Sequence, residues 1–337
     1  MEALLSVKDL KASLRADGKY VRIVDGVDLA INKGETIGLV GETGAGKTVT
    51  AFSILRIIQP IGETRPLWKI EGEVLFKGRD LMKLSEEEMR DIRGKQIALI
   101  TQNPIASLHP IEVIGHQTGE TLEEHQMAEI ERIKKLVVEH LGKVEIADAK
   151  RRFSDFRHQF SGGEGQRILL AMSLIRNPSL LIADEPTSAL DVTVQRQILE
   201  LLKAMKQHFD LSMLLITHNL GVIAEMSDYV YVMYAGKIVE HSDVITIFKA
   251  PLHPFTRGLL ATIPRIDRDF FKFEGIPGEP PNPLYPISGC KFHPRCKYAK
   301  EICSRKVPEV VEVDPKHFVA CLRIDSIRRS WKNQAAE

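Results

Sequence analysis

Eight consecutive residues of this 337-residue chain, Gly41-Glu42-Thr43-Gly44-Ala45-Gly46-Lys47-Thr48, fit the pattern G-x-x-x-x-G-K-[ST] in full. Glycines at such spacing let backbone N–H groups turn inward and approach phosphate oxygens closely. The apolar run Ile37–Val40 before the loop reads as a strand, and Val49–Leu55 after it reads as a helix. The positive end of that helix favours the same anion as the loop amides. In this pattern Lys47 reaches the β- and γ-phosphates and the Thr48 hydroxyl binds Mg²⁺. A plain glycine turn would need none of this agreement between loop, strand and helix.

Further along, Leu180-Leu181-Ile182-Ala183-Asp184-Glu185 is an apolar strand ending in two carboxylates. Asp184 at the strand end suits a Mg²⁺ contact, and Glu185 suits the orienting of an attacking water or the acceptance of its proton. Phe160-Ser161-Gly162-Gly163-Glu164-Gly165-Gln166-Arg167 opens a second helix, with Ser161 as its expected N-cap. A serine hydroxyl beside open glycine amides makes a second anion-binding terminus. One nucleotide seldom needs two such cradles from one chain. The arrangement therefore implies a dimer in which Ser161, Gly162 and Gly163 serve the nucleotide of the other subunit.

With 46 basic and 45 acidic residues the chain has a formal charge of +1, so no global field directs it to nucleic acid. No apolar run approaches the roughly 18–20 residues that span a bilayer, and Met1-Glu2-Ala3 lacks the start of a secretion signal. The expectation is a cytosolic chain whose membrane contact comes through another protein. Strand–helix alternation implies an α/β fold, a parallel sheet covered by helices, with antiparallel strands at Leu5–Lys8 and Val24–Ile31. Residues from about Glu112 to Lys150 have helical periodicity and read as an insertion. Tyr229–Met233 and Lys237–Glu240 read as a hairpin around Tyr234-Ala235-Gly236.

These motifs, in this order, resemble the ATP-binding cassette (ABC) superfamily from about Leu5 to Glu240. The family fold is a P-loop NTPase core with an antiparallel β subdomain and a helical insertion. The resemblance implies that ATP and Mg²⁺ are bound and that ATP is hydrolysed. It makes Gln102 the residue that senses Mg²⁺ or water, and His218 a γ-phosphate contact that stabilises transition-state charge. It makes Asp191, after Ser188-Ala189-Leu190, a subunit contact, and Tyr20 a candidate to stack on adenine beside ordinary packing. Phe160 and Thr43 stand where leucine and serine are commoner, and neither change removes a chemical group that the reaction needs.

Within the superfamily the chain looks most like the ATPase subunits of bacterial dipeptide and oligopeptide importers. Thr101–Pro110, His253–Leu260, Ile276–Pro281 and Cys290–Cys296 carry that likeness, which nickel-importing relatives share in part. It implies a peripheral subunit at the cytoplasmic face of the cell membrane and a second ABC ATPase, as a heterodimer. It also implies two transmembrane permease subunits and, indirectly, an extracytoplasmic solute-binding protein, with no nucleic-acid partner. The competing class is a soluble cassette ATPase of DNA repair or translation, which commonly carries two cassettes or a long coiled coil. The domain reading is 1–250 for the nucleotide-binding domain, with the helical subdomain at about 103–165. An irregular cysteine-containing extension follows at 251–325, and a flexible tail at 326–337.

All four cysteines fall in that extension, spaced C-x5-C-x6-C-x17-C at Cys290, Cys296, Cys303 and Cys321. Four thiolates suit Zn²⁺ or a [4Fe–4S] cluster. The absence of C-x2-C knuckles tilts the reading toward iron–sulfur, and some peptide-importer ATPases carry a cluster on a similar extension. Four thiols packed as small apolar side chains are the remaining alternative.

Overall fold

The computed structural model describes residues 3–58, 67–102, 107–123, 130–188, 190–263 and 275–334. The expected loop Pro60–Pro66, Asn103–Ala106 of the glutamine loop, Ala189 and the last three residues lie outside these. Among the described residues the strands are, in chain order, β1 (Leu5–Ala16), β2 (Lys19–Ile31), β3 (Thr36–Val40), β4 (Trp68–Phe76), β5 (Arg79–Asp80) and β6 (Ile97–Ile100). They continue with β7 (Leu180–Asp184), β8 (Ser212–Ile216), β9 (Tyr229–Tyr234), β10 (Lys237–Asp243), β11 (Val311–Asp314) and β12 (His317–Val319). The chain divides into two compact units, Met1–Ala30 with Ile37–Met82 and Thr217–Glu337, and Ile31–Thr36 with Lys83–Ile216.

The first unit holds an antiparallel sheet in the order β2-β1-β4-β5. Asp17 and Gly18 join β1 to β2 with φ of 48° and 76°, the two left-handed residues of the tight turn that matches strand twist. The β1–β4 register slips between Lys8 and Lys11. Opposite that bulge is Gly72, where a Cβ would lie 2.7 Å from the Asp9 carbonyl oxygen. The same unit contains the run β11-β12-β10-β9-β3, with β3 parallel to β9 and the other pairs antiparallel. All five residues of β3 are buried, which explains a continuous apolar run in place of alternation.

The extension is less irregular than its proline content suggests. β12 pairs with β10 and β11 with β12, so residues 311–319 prolong the sheet. A buried carboxylate secures this junction. Glu240 on β10 accepts the Leu252 and His253 amides at 2.6 and 2.9 Å, and His317 Nε2 on β12 lies 2.7 Å from its Oε1. Burial with these partners satisfies donors that the turn at 252–253 would otherwise strand. Tyr234, Phe255 and Phe292 then form a buried aromatic trio, with centroids 4.6, 5.1 and 5.5 Å apart. Such pairs contribute about 0.5–1.5 kcal/mol each beyond their buried area. A helix at Ile324–Gln334 runs through most of the segment expected as a tail.

The second unit contains β8-β7-β6, all parallel, beside helices at Ile114–Glu123, Ile130–Lys143, Gly162–Leu174 and Val192–Phe209. The helical insertion is thus present as helices among its described residues. Its first helix approaches the chain at Phe153 so closely that a Cβ on Gly115 would sit 2.3 Å from that ring. No helix among the described residues is long and apolar enough to cross a membrane.

Candidate functional site

In the first unit, β3 runs directly into the loop Gly41–Gly46, and the helix Lys47–Ile54 follows. Gly41 has no room for a side chain, because a Cβ would lie 2.2 Å from the Met233 carbonyl oxygen on β9. Gly46 occupies the N-cap at φ 103°, a conformation that L side chains rarely adopt. Glycine brings no side-chain cap to this helix start, whose positive end favours an anion. The Lys47 ammonium curls over the loop and donates to the Gly41 and Glu42 carbonyls at 2.8 and 3.1 Å. Thr43, Gly44 and Thr48 are exposed.

Two other expected residues lie in this unit. His218 is exposed just after Thr217, whose amide donates to the Leu39 carbonyl on β3 at 3.4 Å. Its neighbour Asn219 caps the helix Leu220–Met226 through the Gly221 and Val222 amides. Tyr20 is 46% exposed at the start of β2, beside the Asp17–Gly18 turn.

In the second unit, Asp184 ends β7 and is buried, and Glu185 follows with φ 52°. A left-handed conformation costs a non-glycine residue about 1–2 kcal/mol, and such strain tends to persist at functional positions. Here it is held by backbone bonds. The Glu185 amide donates to Ile216 at 2.8 Å, and its carbonyl accepts from the Ser188 amide and hydroxyl at 3.2 and 3.1 Å. Gln102 is exposed two residues beyond β6.

Ser161 caps the helix Gly162–Leu174 by a capping box, accepting the Glu164 amide at 3.2 Å while Glu164 accepts the Ser161 amide at 2.9 Å. Arg152 braces this box, lying 3.0 Å from Glu164 and 3.9 Å from the Phe160 ring centroid. Asp191, read from sequence as a subunit contact, caps the helix Val192–Phe209 through the Thr193 and Val194 amides, both at 3.0 Å. These two helix starts are neighbours. A Cβ on Gly162 would meet Leu190 at 3.9 Å, and one on Gly163 would meet Val194 at 2.7 Å. Ser161–Gly163 and the Leu190–Asp191 start of the next helix therefore lie side by side in this unit.

The cysteines return to the first unit. Cys290, Cys296, Cys303 and Cys321 line one small pocket, partly open to solvent, with His253 and His293. Among the described residues no three His, Cys, Asp or Glu side chains are placed to hold a metal ion as they stand. Burial pushes the Cys290 and Cys296 thiols up and that of Cys321 to about 12. The donor type fits a soft metal or cluster, while the spacing found is that of four thiols sharing an apolar pocket.

Sequence reasoning passed over Arg295, which belongs to the same extension and grips the phosphate loop. Its guanidinium meets the Glu42 carboxylate with both forks, at 2.6 and 3.0 Å. The only signal was its place in Phe292-His293-Pro294-Arg295-Cys296. Nearby, Lys291 lies 3.0 Å from Asp25 of β2. Burial pushes the Asp25 carboxyl up, yet Lys291 and Lys237 bring it down to about 2.

Comparison with known proteins agrees with this architecture. The ABC transporter family matches residues 24–188, and the oligopeptide/dipeptide transporter C-terminal region matches residues 239–303. A dimeric ATP-binding cassette solved in a post-hydrolysis state with ADP and phosphate shares the fold, with TM-score 0.60 and 23% identity. It covers 71% of this chain and 98% of its own. The chain belongs to the ABC transporter ATP-binding proteins, ATPases coupled to transport that bind ATP and Mg²⁺. Its relatives include the dipeptide transport ATP-binding protein DppD of Bacillus subtilis, 44% identical over 95% of both chains. The oligopeptide transport ATP-binding protein OppD of the same organism is 45% identical over 94% of this chain and 87% of its own.

Proposed function

We propose that this chain is the ATP-hydrolysing subunit of a di- or oligopeptide importer, acting on the cytoplasmic side of a membrane permease. The observation that carries the peptide reading is the match of residues 239–303 to the oligopeptide/dipeptide transporter C-terminal region. Likeness to DppD and OppD along nearly the whole chain supports it. In this reading Gly41–Thr48 hold the ATP phosphates, and Thr48, Gln102 and Asp184 hold Mg²⁺. Glu185 orients or deprotonates water, and His218 steadies the γ-phosphate. Tyr20 stacks on adenine.

Ser161, Gly162 and Gly163 close the nucleotide site of a second cassette subunit, with Asp191 at the contact. ATP then acts as interfacial glue, and hydrolysis lets the pair open. The pair is a heterodimer on two permease subunits served by a solute-binding protein. The chain's domains are the cassette to residue 250, with its helical subdomain at about 103–165, and the extension from 251 to 325.

Purification of the tagged chain from membranes tests this directly. Permease subunits and a second cassette should copurify, and peptide-loaded binding protein should stimulate ATPase activity. Recovery only with DNA or ribosomes would refute the transport reading, and stimulation by nickel in place of peptide would move the cargo.

The finer reading of the extension is that Cys290, Cys296, Cys303 and Cys321 hold a [4Fe–4S] cluster, with Zn²⁺ as the competing occupant. Their convergence on one pocket supports it. The group would stabilise the extension and takes no part in hydrolysis. Anaerobically prepared protein should be brown, with about four iron and four sulfide per chain. A colourless protein holding one zinc would refute the cluster, and metal-free protein would refute both.

A further inference from the structure

Glutamate is an awkward residue to place inside a phosphate loop. The Glu42 carboxylate follows Gly41 in the segment whose amides receive a polyphosphate, and a bare negative charge there opposes the ligand. The fold answers this from the far end of the chain. Arg295 sits in the short helix His293–Arg295, between Cys290 and Cys296. It is 9% exposed, and its guanidinium is bonded at Nε and on both terminal nitrogens. Nη1 and Nη2 donate to the two Glu42 carboxylate oxygens, Nε donates to the Pro277 carbonyl at 2.8 Å, and Nη1 donates to the Tyr234 hydroxyl at 3.3 Å. The guanidinium also lies 5.8 Å from the Tyr234 ring centroid.

Glu42 is consequently held at both ends, its carbonyl by Lys47 at 3.1 Å and its carboxylate by Arg295. The aromatic trio Tyr234, Phe255 and Phe292 fixes the segment that carries Arg295. A planar fork on a carboxylate gives orientation as well as charge, which a lysine would not reproduce.

The geometry points to Arg295 as a positioning residue for the nucleotide: it neutralises Glu42 and fixes the conformation of the phosphate loop, making the cysteine-bearing extension part of the ATP site. This rests on nucleotide binding at Gly41–Thr48 and is independent of the cargo.

The test is titration of the full-length protein with a fluorescent ATP analogue, alongside thermal melting. Arg295→Met should weaken binding by about tenfold or more, since it leaves a carboxylate uncompensated beside the phosphates. Glu42→Gln/Arg295→Met should recover to within about threefold of the Glu42→Gln reference, because the charge is gone. Arg295→Lys should fall between wild type and Arg295→Met. Charge rescue is a readout that loss of packing alone would not produce.

Unchanged affinity in Arg295→Met, even with a lowered melting temperature, would overturn the inference. So would a double variant that binds no better than Arg295→Met. If Arg295→Met fails to fold, Arg295→Lys and the double variant carry the comparison by themselves. Failure of the wild-type chain to bind the analogue would instead strike at the nucleotide reading.

Discussion

Glu185→Gln is expected to bind ATP within about twofold of wild type while turnover falls by about 10²–10⁴-fold, the range that a positioned general base supplies. The substitution is nearly isosteric. The Glu185 amide and carbonyl, bonded to Ile216 and Ser188, hold its left-handed backbone. Glutamine can occupy the same strained position, so the change removes negative charge and basicity without rebuilding the turn. Loss of an interaction made only in the transition state lowers kcat and spares binding. ATP affinity by titration and single-turnover hydrolysis would separate the two quantities. Turnover near the wild-type rate would remove Glu185 from the chemistry.

Gly162→Asp should abolish ATP-dependent association of cassette subunits while leaving this chain's own ATP affinity intact. Among the described residues a Cβ at Gly162 would meet Leu190 alone, at an ordinary contact distance of 3.9 Å. A carboxylate in the first turn also suits the helix dipole by about 0.3–1 kcal/mol, so the subunit itself should fold. Across an interface the same carboxylate would face a partner's phosphates, a like-charge contact costing several kcal/mol. In the Glu185→Gln background, ATP should assemble the parent and leave the Gly162→Asp protein unpaired, as read by sedimentation with the second cassette present. If Gly162→Asp instead loses its own ATP binding, the Ser161–Gly163 cradle serves the nucleotide of the same chain. Gly163 is the poorer site for this test, because its Cβ would clash with Val194 inside the subunit.

The phosphate loop was legible from residues 37–55 alone because its chemistry is local. Backbone amides, glycine freedom and a helix end all come from neighbours in sequence. The Ser161 capping box was half legible for the same reason: the serine N-cap could be foreseen, and the reciprocal Glu164 bond is a matter of three residues. Asp191 has a task that resemblance did not name. A subunit contact was expected, while the visible task of its side chain within the subunit is to cap a helix through two amides. The pattern of an aspartate just before Val192-Thr193-Val194 could have signalled that role.

The extension was read worst, because its order comes from distant partners. Short strands at 311–319 have too few residues to show a period, and only β10 makes them part of a sheet. Glu240 looks like an ordinary strand glutamate until the Leu252 and His253 amides and His317 surround it. The four cysteines could be counted and spaced in sequence, but only the fold brings all four to one pocket.

What sequence by itself determined is the class of protein and the local cradle for polyphosphate, since both are written in contiguous motifs. Tertiary structure alone decided that Arg295 meets Glu42. The two lie 253 positions apart, and a charge pair at that separation has no signature along the chain. It exists because β9 delivers Tyr234 to the aromatic trio, which seats the His293–Arg295 turn beside the phosphate loop.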